Sequence, residues 1–238
     1  MKLLDLFCGA GGAAMGYHRV GFEVVGVDIN PQPHYPFKFY QADALTFPLN
    51  GFDVIHASPP CQIHSAMTKG RWQYRLKNHI NLIPETRKLL ISSGAYYVIE
   101  NVIGAKVELI APIMLCGTMF NLETKQGSQL RRHRLFECSF PVILIPECSH
   151  KKGASVIGVY GGGQHPQRRK IPNTIGAYGH SGGSSKRDYL DFSCFSVIDR
   201  RDAMGIDWMT GKELSQAIPP AYSFFIGKQL IKYLQNTK

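Results

Sequence analysis

Short apolar runs alternate with helix-like segments along the first hundred residues of the chain. Strand-like runs are predicted at 2–6, 22–27, 37–40, 52–57 and 96–99, and helices at 13–20 and 79–93. An acidic or reactive side chain follows the carboxyl end of nearly every predicted strand. Because an open parallel sheet binds its ligands at that edge, the pattern predicts an α/β fold with its site there.

The pattern changes after about residue 139. Residues 153–190 are rich in Gly, Ser, His and basic residues, which predicts a loop-rich insert and leaves a flexible linker as the alternative. Helical signal returns near Arg201, and Thr210 with Glu213 has the spacing of a capping box. Pro220 then opens a last helix with an apolar face. We therefore predict a main domain of residues 1–139 and 196–238, with a small separate region at 140–195.

Length and charge narrow the class of protein. A chain of 238 residues fits one domain, and no apolar run is long enough to cross a membrane. Asp5 comes too early for a signal peptide, so we expect a cytoplasmic protein. The formal net charge of +10 predicts a polyanionic partner. The basic residues cluster in predicted loops at 69–88, 131–134 and 164–170.

A glycine-rich turn follows the first strand. Glycines at positions 9, 11 and 12 allow the backbone to approach a ligand, and Asp28 and Asp43 end the next two strands. No P-loop lysine follows, which argues against a nucleoside triphosphate. A nucleoside without a pyrophosphate fits better, and S-adenosyl-L-methionine is the common one. Tight turns with solvated acids are the alternative interpretation.

Residues 58–62 read Ser-Pro-Pro-Cys-Gln and follow a predicted buried strand. Two prolines stiffen the backbone just before Cys61, a position suited to a nucleophile, although most single cysteines are inert thiols. The chain has six cysteines and no CxxC pair. Cys138, Cys148 and His150 are conceivable partial metal ligands, but their spacing matches no usual site, and we predict no metal.

Three motifs, 7–12 (Phe-Cys-Gly-Ala-Gly-Gly), 59–62 (Pro-Pro-Cys-Gln) and 100–102 (Glu-Asn-Val), occur in this order. With them the chain resembles the DNA (cytosine-5) methyltransferases over residues 1–139 and 196–238. The resemblance implies a Rossmann-like S-adenosylmethionine-dependent methyltransferase fold with a mostly parallel sheet. It also implies that residues 140–195 are a small target-recognition region, in a compact member of the phage or orphan type.

The resemblance implies methyl transfer to carbon 5 of cytosine in duplex DNA, with S-adenosyl-L-homocysteine as the second product. Cys61 would add to carbon 6 of a flipped base, and Glu100 would hold a proton at ring N3. Asn101 would orient the backbone, Arg132 and Arg134 would hold the base from one strand, and the last helix would pack beside the glycine turn.

The implied ligand contacts extend beyond the catalytic residues. Cofactor contacts are expected at Phe7, Cys8, Gly9, Gly11, Gly12, Asp28, Ile29, Asp43, Ala44, Pro60 and Gln216. DNA contacts are expected at Gln62, Ser65, Arg71, Arg168, Arg169, Lys186 and Arg187. The family's usual Gln before the two arginines is displaced here, because Leu130 stands in its place and Gln129 lies one residue off.

Three other functions remain open from the sequence. The same chemistry on RNA, as in the transfer-RNA branch of the superfamily, would suit the basic charge equally well. A non-catalytic DNA-binding module derived from the fold would need neither Cys61 nor Glu100. A Rossmann oxidoreductase would explain the glycine turn but would leave residues 59–62 without a role. We expect a monomer without a membrane partner.

Overall fold

A seven-stranded sheet lies at the centre of this computed structural model. The structure describes residues 1–60, 80–159 and 195–236. The strands are β1 (Lys2–Leu6), β2 (Glu23–Asp28), β3 (Lys38–Gln41), β4 (Val54–Ala57), β5 (Tyr96–Asn101), β6 (Ile113–Leu115), β7 (Gln129–Leu130), β8 (Arg134–Cys138) and β9 (Val156–Ile157). The helices are α1 (Gly12–Val20), α2 (Ile83–Ser93), α3 (Val197–Met204), α4 (Gly211–Gln216) and α5 (Pro220–Asn236).

Five strands run parallel in the order β3-β2-β1-β4-β5, and antiparallel β8 separates them from β6 at the far edge. Strands β1, β2 and β4 are buried over nearly their whole length, which explains their mainly apolar sequences. The predicted α/β fold with a mostly parallel sheet is confirmed. Helix α2 begins at Ile83 rather than at the predicted residue 79, with Pro84 in the first turn, where its missing N–H is not needed.

The strand registers bring four carboxyl ends to the same height. Leu6 pairs with Val27 on one side and Ala57 on the other, and Ala57 pairs with Ile99. The residues that follow, Phe7, Asp28, Ser58 and Glu100, therefore share one edge of the sheet. The chain order reverses between β1 and β4, so this edge contains the switch point where open α/β sheets bind ligands.

Helices cover both faces of the sheet. Alternate residues of each strand point to opposite sides, so Leu3 packs with α1 and α5 while Leu4 packs with α2. A third apolar cluster joins α3 and α4 to the two-stranded β7–β9 sheet and to Ala10 of the glycine turn. None of the described helices is long and apolar enough to cross a membrane.

Helix α5 packs against α1 at a distance that only glycine permits. A Cβ on Gly16 would lie 2.0 Å from Ser223 Oγ and 2.2 Å from the Pro220 carbonyl oxygen. A Cβ on Gly12 would lie 2.4 Å from the Ile218 carbonyl oxygen. The expected packing of the last helix beside the glycine turn is therefore confirmed, and so is the buried face of α5.

Capping boxes begin α3 and α4. The predicted box at Thr210 is confirmed, because its hydroxyl accepts the Glu213 amide at 3.4 Å and Glu213 Oε2 accepts the Thr210 amide at 2.7 Å. A second box, unpredicted, joins Ser196 to Asp199 in the same way and starts α3 at Val197. The spacing of Ser196 and Asp199 carries the same signal in the sequence.

Candidate active site

The glycine turn begins with three residues in the left-handed region. Phe7, Gly9 and Gly11 have φ values of 57°, 50° and 85°. At Gly11 a Cβ would lie 2.9 Å from Pro36 Cδ and 3.0 Å from the Tyr35 ring, so a side chain there is excluded by both φ and space. At Gly9 the Cβ position has no described atom within 4 Å. The turn thus forms an open cradle above the end of β1.

Asp28 ties this cradle to the end of β2. Its Oδ2 accepts a hydrogen bond from the Gly9 amide at 3.0 Å, and its Oδ1 accepts one from the Asn30 amide at 2.9 Å. Ile29 is 66% exposed at the same edge, where an apolar ligand surface can stack on it. Asp43 stands exposed after β3 and accepts the Leu45 amide at 2.9 Å, next to buried Ala44.

Two buried ionisable groups, the Asp5 carboxyl and the Cys8 thiol, lie at the turn. Asp5 accepts the Ala14 amide, and burial together with the charge of Asp28 holds the pKa of the Asp5 carboxyl well above its usual range. Its Oδ2 has no hydrogen-bond partner among the described residues. Burial, with the charges of Asp5 and Asp28, also raises the pKa of the Cys8 thiol, which donates to the Gly9 carbonyl at 3.4 Å. Cys8 therefore contributes to the turn as a neutral thiol.

The segment before Cys61 is held by Asn101. Asn101 Nδ2 donates to the Pro59 carbonyl at 3.0 Å, and Asn101 Oδ1 accepts the Val102 amide at 2.9 Å. The orienting contact expected of Asn101 is therefore present, and it joins β5 to the chain that leaves β4. Pro60 is exposed at the end of this segment.

Glu100 provides a buried carboxyl at the end of β5. The residue is 7% exposed, and its Oε1 lies 3.1 Å from Arg134 Nε. Burial raises the pKa of Glu100, although the charges of Arg134 and Arg132 and a hydrogen bond from Ser58 oppose the rise. The result is a carboxyl poised to exchange a proton nearer to neutral pH than an exposed glutamate would.

A buried polar chain continues from Ser58 into the core. His56 Nε2 lies 3.1 Å from Ser58 Oγ, and His56 Nδ1 lies 3.1 Å from Tyr17 Oη. Burial lowers the pKa of His56 to about 3, so the imidazole is neutral and one ring nitrogen donates while the other accepts. The sequence analysis missed His56, although a single polar residue in the run 54–57 is a usable signal.

The two arginines of the 132–134 segment have different surroundings. Strand β8 begins at Arg134, so the expectation that both arginines lie on one strand was wrong for Arg132. Arg132 is buried, and its guanidinium donates to the carbonyls of Val159 and of Ser215, the latter at 2.9 Å. Arg134 pairs directly with Glu100, and Arg132 connects this segment to α4.

Gln129 makes hydrogen bonds that connect two segments of the chain. Its Oε1 accepts from Arg131 at 3.2 Å and from the Lys151 amide at 3.3 Å, which joins β7 to the segment before β9. Gln216 lies exposed at the end of α4, next to the Ala217–Ile218 segment that packs on Gly12.

The predicted nucleophile Cys61 lies outside the described residues. The same is true of every predicted DNA contact, namely Gln62, Ser65, Arg71, Arg168, Arg169, Lys186 and Arg187.

The residues at this edge fit S-adenosylmethionine. The open position above Gly9 admits a close-lying ligand, and the acids Asp28 and Asp43 follow adjacent strands where ribose and base amines can be bound. Exposed Ile29 supplies an apolar surface between these acids. Asp5 Oδ2 adds a buried polar atom without a described partner beneath the turn.

One protein family and several solved structures are similar to this chain. The sequence model of the C-5 cytosine-specific DNA methylase family matches residues 1–107 of the 238. This match confirms the resemblance to the DNA (cytosine-5) methyltransferases over residues 1–107 and supports S-adenosyl-L-methionine as the cofactor. It supports methyl transfer to carbon 5 of cytosine as the class of reaction. None of the curated proteins is similar enough in sequence to match the chain.

Solved structures share the fold over the whole chain. A prophage-encoded protein of E. coli, described as a DNA modification methyltransferase, is 14% identical with a TM-score of 0.61, covering 99% of both chains. The Dnmt2 methyltransferase of S. pombe is 16% identical with a TM-score of 0.55, covering 98% of this chain and 99% of its own. The Entamoeba histolytica methyltransferase EhMeth is 15% identical with a TM-score of 0.53, covering 100% and 99%. At these identities the likeness shows a common fold.

Proposed function

We propose that this protein transfers a methyl group from S-adenosyl-L-methionine to carbon 5 of cytosine in duplex DNA, as a DNA (cytosine-5-)-methyltransferase. Cys61 forms a transient covalent bond to carbon 6 of a base that has been flipped out of the helix. The observation that carries the proposal is the buried Glu100 carboxyl, paired with Arg134 and bonded to Ser58 in the segment before Cys61.

The need for these groups follows from the chemistry of cytosine. Carbon 5 is a weak nucleophile until the Cys61 thiolate adds to carbon 6 and the ring electrons shift toward N3 and carbon 5. Glu100 supplies the proton that neutralises N3, and carbon 5 then takes the methyl group that the cofactor provides. Loss of the carbon-5 proton to a base expels the Cys61 thiolate and restores the aromatic ring.

The surroundings of Glu100 suit proton donation. Because burial raises the pKa of the carboxyl, a larger fraction of Glu100 is protonated near neutral pH than in water. Arg134 limits this rise and stabilises the carboxylate after the proton has left. The hydrogen bond to Ser58 fixes the carboxyl relative to the segment that leads to Cys61. We assign base contacts to Arg134 and a contribution to the local positive charge to Arg132.

The approach of Cys61 depends on the segment before it. The Asn101 bond to the Pro59 carbonyl fixes the backbone two residues before the cysteine. Pro59 and Pro60 each fix a backbone φ angle, so the segment that precedes Cys61 is rigid. Ala57 of β4 pairs with Ile99 of β5, so the segment that precedes Cys61 leaves β4 at the sheet edge that carries Glu100.

DNA contacts are proposed for the basic segments of the chain. Residues 1–139 and 196–238 form the catalytic domain, and residues 140–195 form the target-recognition region that selects the sequence. Phosphate contacts by Ser65, Arg71, Arg168, Arg169, Lys186 and Arg187 would position the duplex, and Gln62 lies next to the nucleophile. The formal net charge of +10 supports a polyanionic substrate.

The central test is mechanism-based trapping. Duplex DNA that contains 5-fluorocytosine should form a stable adduct with Cys61 in the presence of S-adenosylmethionine, because fluorine cannot leave as a proton does. Mass spectrometry of the digested adduct locates the bond. The Cys61→Ser variant should form no adduct and transfer no methyl group. Cys138→Ser is the matched control, since burial and the charge of Glu137 raise the pKa of that thiol to about 12.

Three outcomes distinguish the proposal from its rivals. Methyl transfer to duplex DNA above transfer RNA supports the DNA substrate, and the reverse preference assigns the chemistry to RNA. Cofactor binding without transfer to either substrate would identify a non-catalytic module. Full activity of Cys61→Ser would exclude the covalent route whatever the substrate.

A further inference from the structure

Four sulfur and nitrogen ligands converge outside the cofactor edge. Among residues 1–60, 80–159 and 195–236, one group of potential metal ligands stands out: Cys116, His133, Cys148 and His150. One ligand atom from each lies within 4.8 Å of all the others. Three of the contacts are short: Cys148 Sγ to His150 Nε2 at 3.1 Å, Cys116 Sγ to His150 Nε2 at 3.3 Å and Cys148 Sγ to His133 Nε2 at 3.4 Å.

These separations match a tetrahedral zinc site. With Zn–S near 2.3 Å and Zn–N near 2.05 Å, the sulfur-to-nitrogen edge of a tetrahedron is about 3.6 Å. The three sulfur-to-nitrogen distances are slightly shorter than this edge, and binding would widen them by a few tenths of an ångström. Two thiols and two imidazoles form one of the usual ligand sets of structural zinc sites. Both thiols are free.

The surroundings of the cluster also suit a bound cation. Thr118 Oγ1 donates to Cys116 Sγ at 3.4 Å and lies 3.7 Å from Cys148 Sγ. Hydroxyl donors of this kind orient thiolate ligands and stabilise their charge. Cys116 is buried and His150 is exposed, so the cluster has a closed inner side and an entry path from solvent.

We propose that Cys116, His133, Cys148 and His150 bind one structural Zn²⁺ ion. Four protein ligands fill the tetrahedron and leave no position for a substrate, so the ion has a structural role. The metal links the end of β6 and the start of β8 with the loop after β8. The zinc proposal does not rest on the proposed methyl transfer, and its test requires no activity measurement.

The position of His133 connects the metal to the candidate active site. His133 lies between Arg132 and Arg134, and its carbonyl accepts Arg134 Nη1 at 2.8 Å. Anchoring His133 therefore limits the movement of the arginine that pairs with Glu100. The ion also fixes Cys148 and His150 at the base of the segment that leads to residues 156–195.

The prediction of no metal site rested on sequence spacing. The cluster includes Cys148 and His150 but not Cys138, and its other two members come from the distant positions 116 and 133. Leu115 of β6 pairs with Arg134 of β8, which brings Cys116 close to His133, and the loop after β8 adds Cys148 and His150. A ligand set gathered by sheet pairing has no fixed sequence interval.

The test measures metal in the intact protein. Elemental analysis of the chain purified with zinc available should find one zinc ion per chain, and Cys148→Ser and His150→Gln should lower it to background. Replacement by Co²⁺ should give the visible absorption of a tetrahedral site with thiolate charge-transfer bands. Cys138→Ser is the matched control and should retain both the zinc and the cobalt spectrum.

Several results would overturn the proposal. A wild-type chain that contains no zinc and gives no cobalt spectrum excludes the site without reference to any variant. Full zinc content in both Cys148→Ser and His150→Gln would place the ion elsewhere. A Cys116–Cys148 disulfide in the intact protein, detected by its mass under non-reducing conditions, would assign the cluster to redox chemistry instead.

Discussion

The β1–β2–β3 side of the sheet, which carries the glycine turn, and the β5–β8–β6 side, which carries Glu100, are stabilised by different contacts. On the first side the backbone approaches neighbouring side chains closely at glycines, as where Gly11 and Gly26 meet the Tyr35 ring. Helix α5 meets Gly16 in the same way. A side chain added at these positions has no space to occupy, so this side depends on shape.

The second side depends on buried charge. Glu137 accepts two hydrogen bonds from Arg87, at 2.8 and 2.7 Å, and a third from the Ile110 amide at 2.8 Å. Glu100 pairs with Arg134 one strand away. Each carboxylate needs a partner from a distant segment, because an unpaired buried charge costs several kcal/mol. The comparison teaches that available volume limits substitutions on the glycine-turn side, whereas protonation and charge limit them on the Glu100 side.

The largest expected effect is on the rate of methyl transfer, and it distinguishes Glu100 from Glu137, the two buried carboxylates of the second side. Glu100→Gln should lower the rate of methyl transfer by about 100-fold to 10,000-fold, because the amide cannot supply a proton to ring N3. Single-turnover assays with labelled cofactor measure this step. Binding of the cofactor at the glycine turn should change little.

Glu137→Gln is the matched control for that substitution. It weakens the pairing with Arg87 and should lower the free energy of unfolding by about 3 kcal/mol, while the rate per folded molecule stays close to that of the wild type. Equal losses of rate in the two variants would remove the distinction between a catalytic and a structural carboxylate.

The steric character of the first side is tested at Gly16. Gly16→Ala should lower the free energy of unfolding by more than about 3 kcal/mol, because the new methyl group would overlap Ser223 and the Pro220 carbonyl. Urea denaturation measures the change. In Gly227→Ala the nearest neighbour is Tyr17 Cδ1 at 3.1 Å, a side-chain atom that can shift, so the loss should be far smaller. Similar losses at both positions would contradict the role of close backbone contact.

The smallest effect concerns the pH dependence of stability through His56. The pKa of His56 falls from its ordinary 6.5 to about 3 in the folded protein, so the unfolded chain binds the extra proton between these values. The contribution of neutral His56 to the free energy of unfolding is fully present above pH 6.5 and is lost as the pH falls toward 3. At pH 5 the loss is about 2 kcal/mol.

Replacement by glutamine removes this titration. The difference in unfolding free energy between wild type and His56→Gln should shrink by about 2 kcal/mol when the pH is lowered from 7 to 5. Denaturation curves at both pH values give the two differences. A difference that does not depend on pH would mean that His56 titrates normally in the folded chain.

Some elements of the fold were readable from local patterns. The apolar runs at residues 2–6 and 54–57 gave continuous buried strands, since a parallel sheet covered on both faces requires them. The face of α5 and the capping box at Thr210 were also predicted, because helical spacing is a local property. The motifs around Glu100 and the glycine turn identified one edge of the sheet for the same reason.

Other features depend on partners that the sequence does not place. The guanidinium of Arg132 binds the carbonyls of Val159 and Ser215, which lie 27 and 83 residues further along the chain. His56 is neutral because it is enclosed between Tyr17 and Ser58. Each of these side chains contacts at least one group far away in the sequence, and local spacing does not predict such contacts.

By itself, the sequence determined the α/β class, the carboxyl-end location of the site and the resemblance to the cytosine-5 methyltransferases. These follow from periodicity and from short motifs whose residues act within a few positions of one another. Only the tertiary structure decided the buried state of Glu100, the pairing of Arg134 and the meeting of Cys116 with His150. Burial and ligand geometry arise when distant segments pack together, because both depend on distances in space that sheet pairing creates.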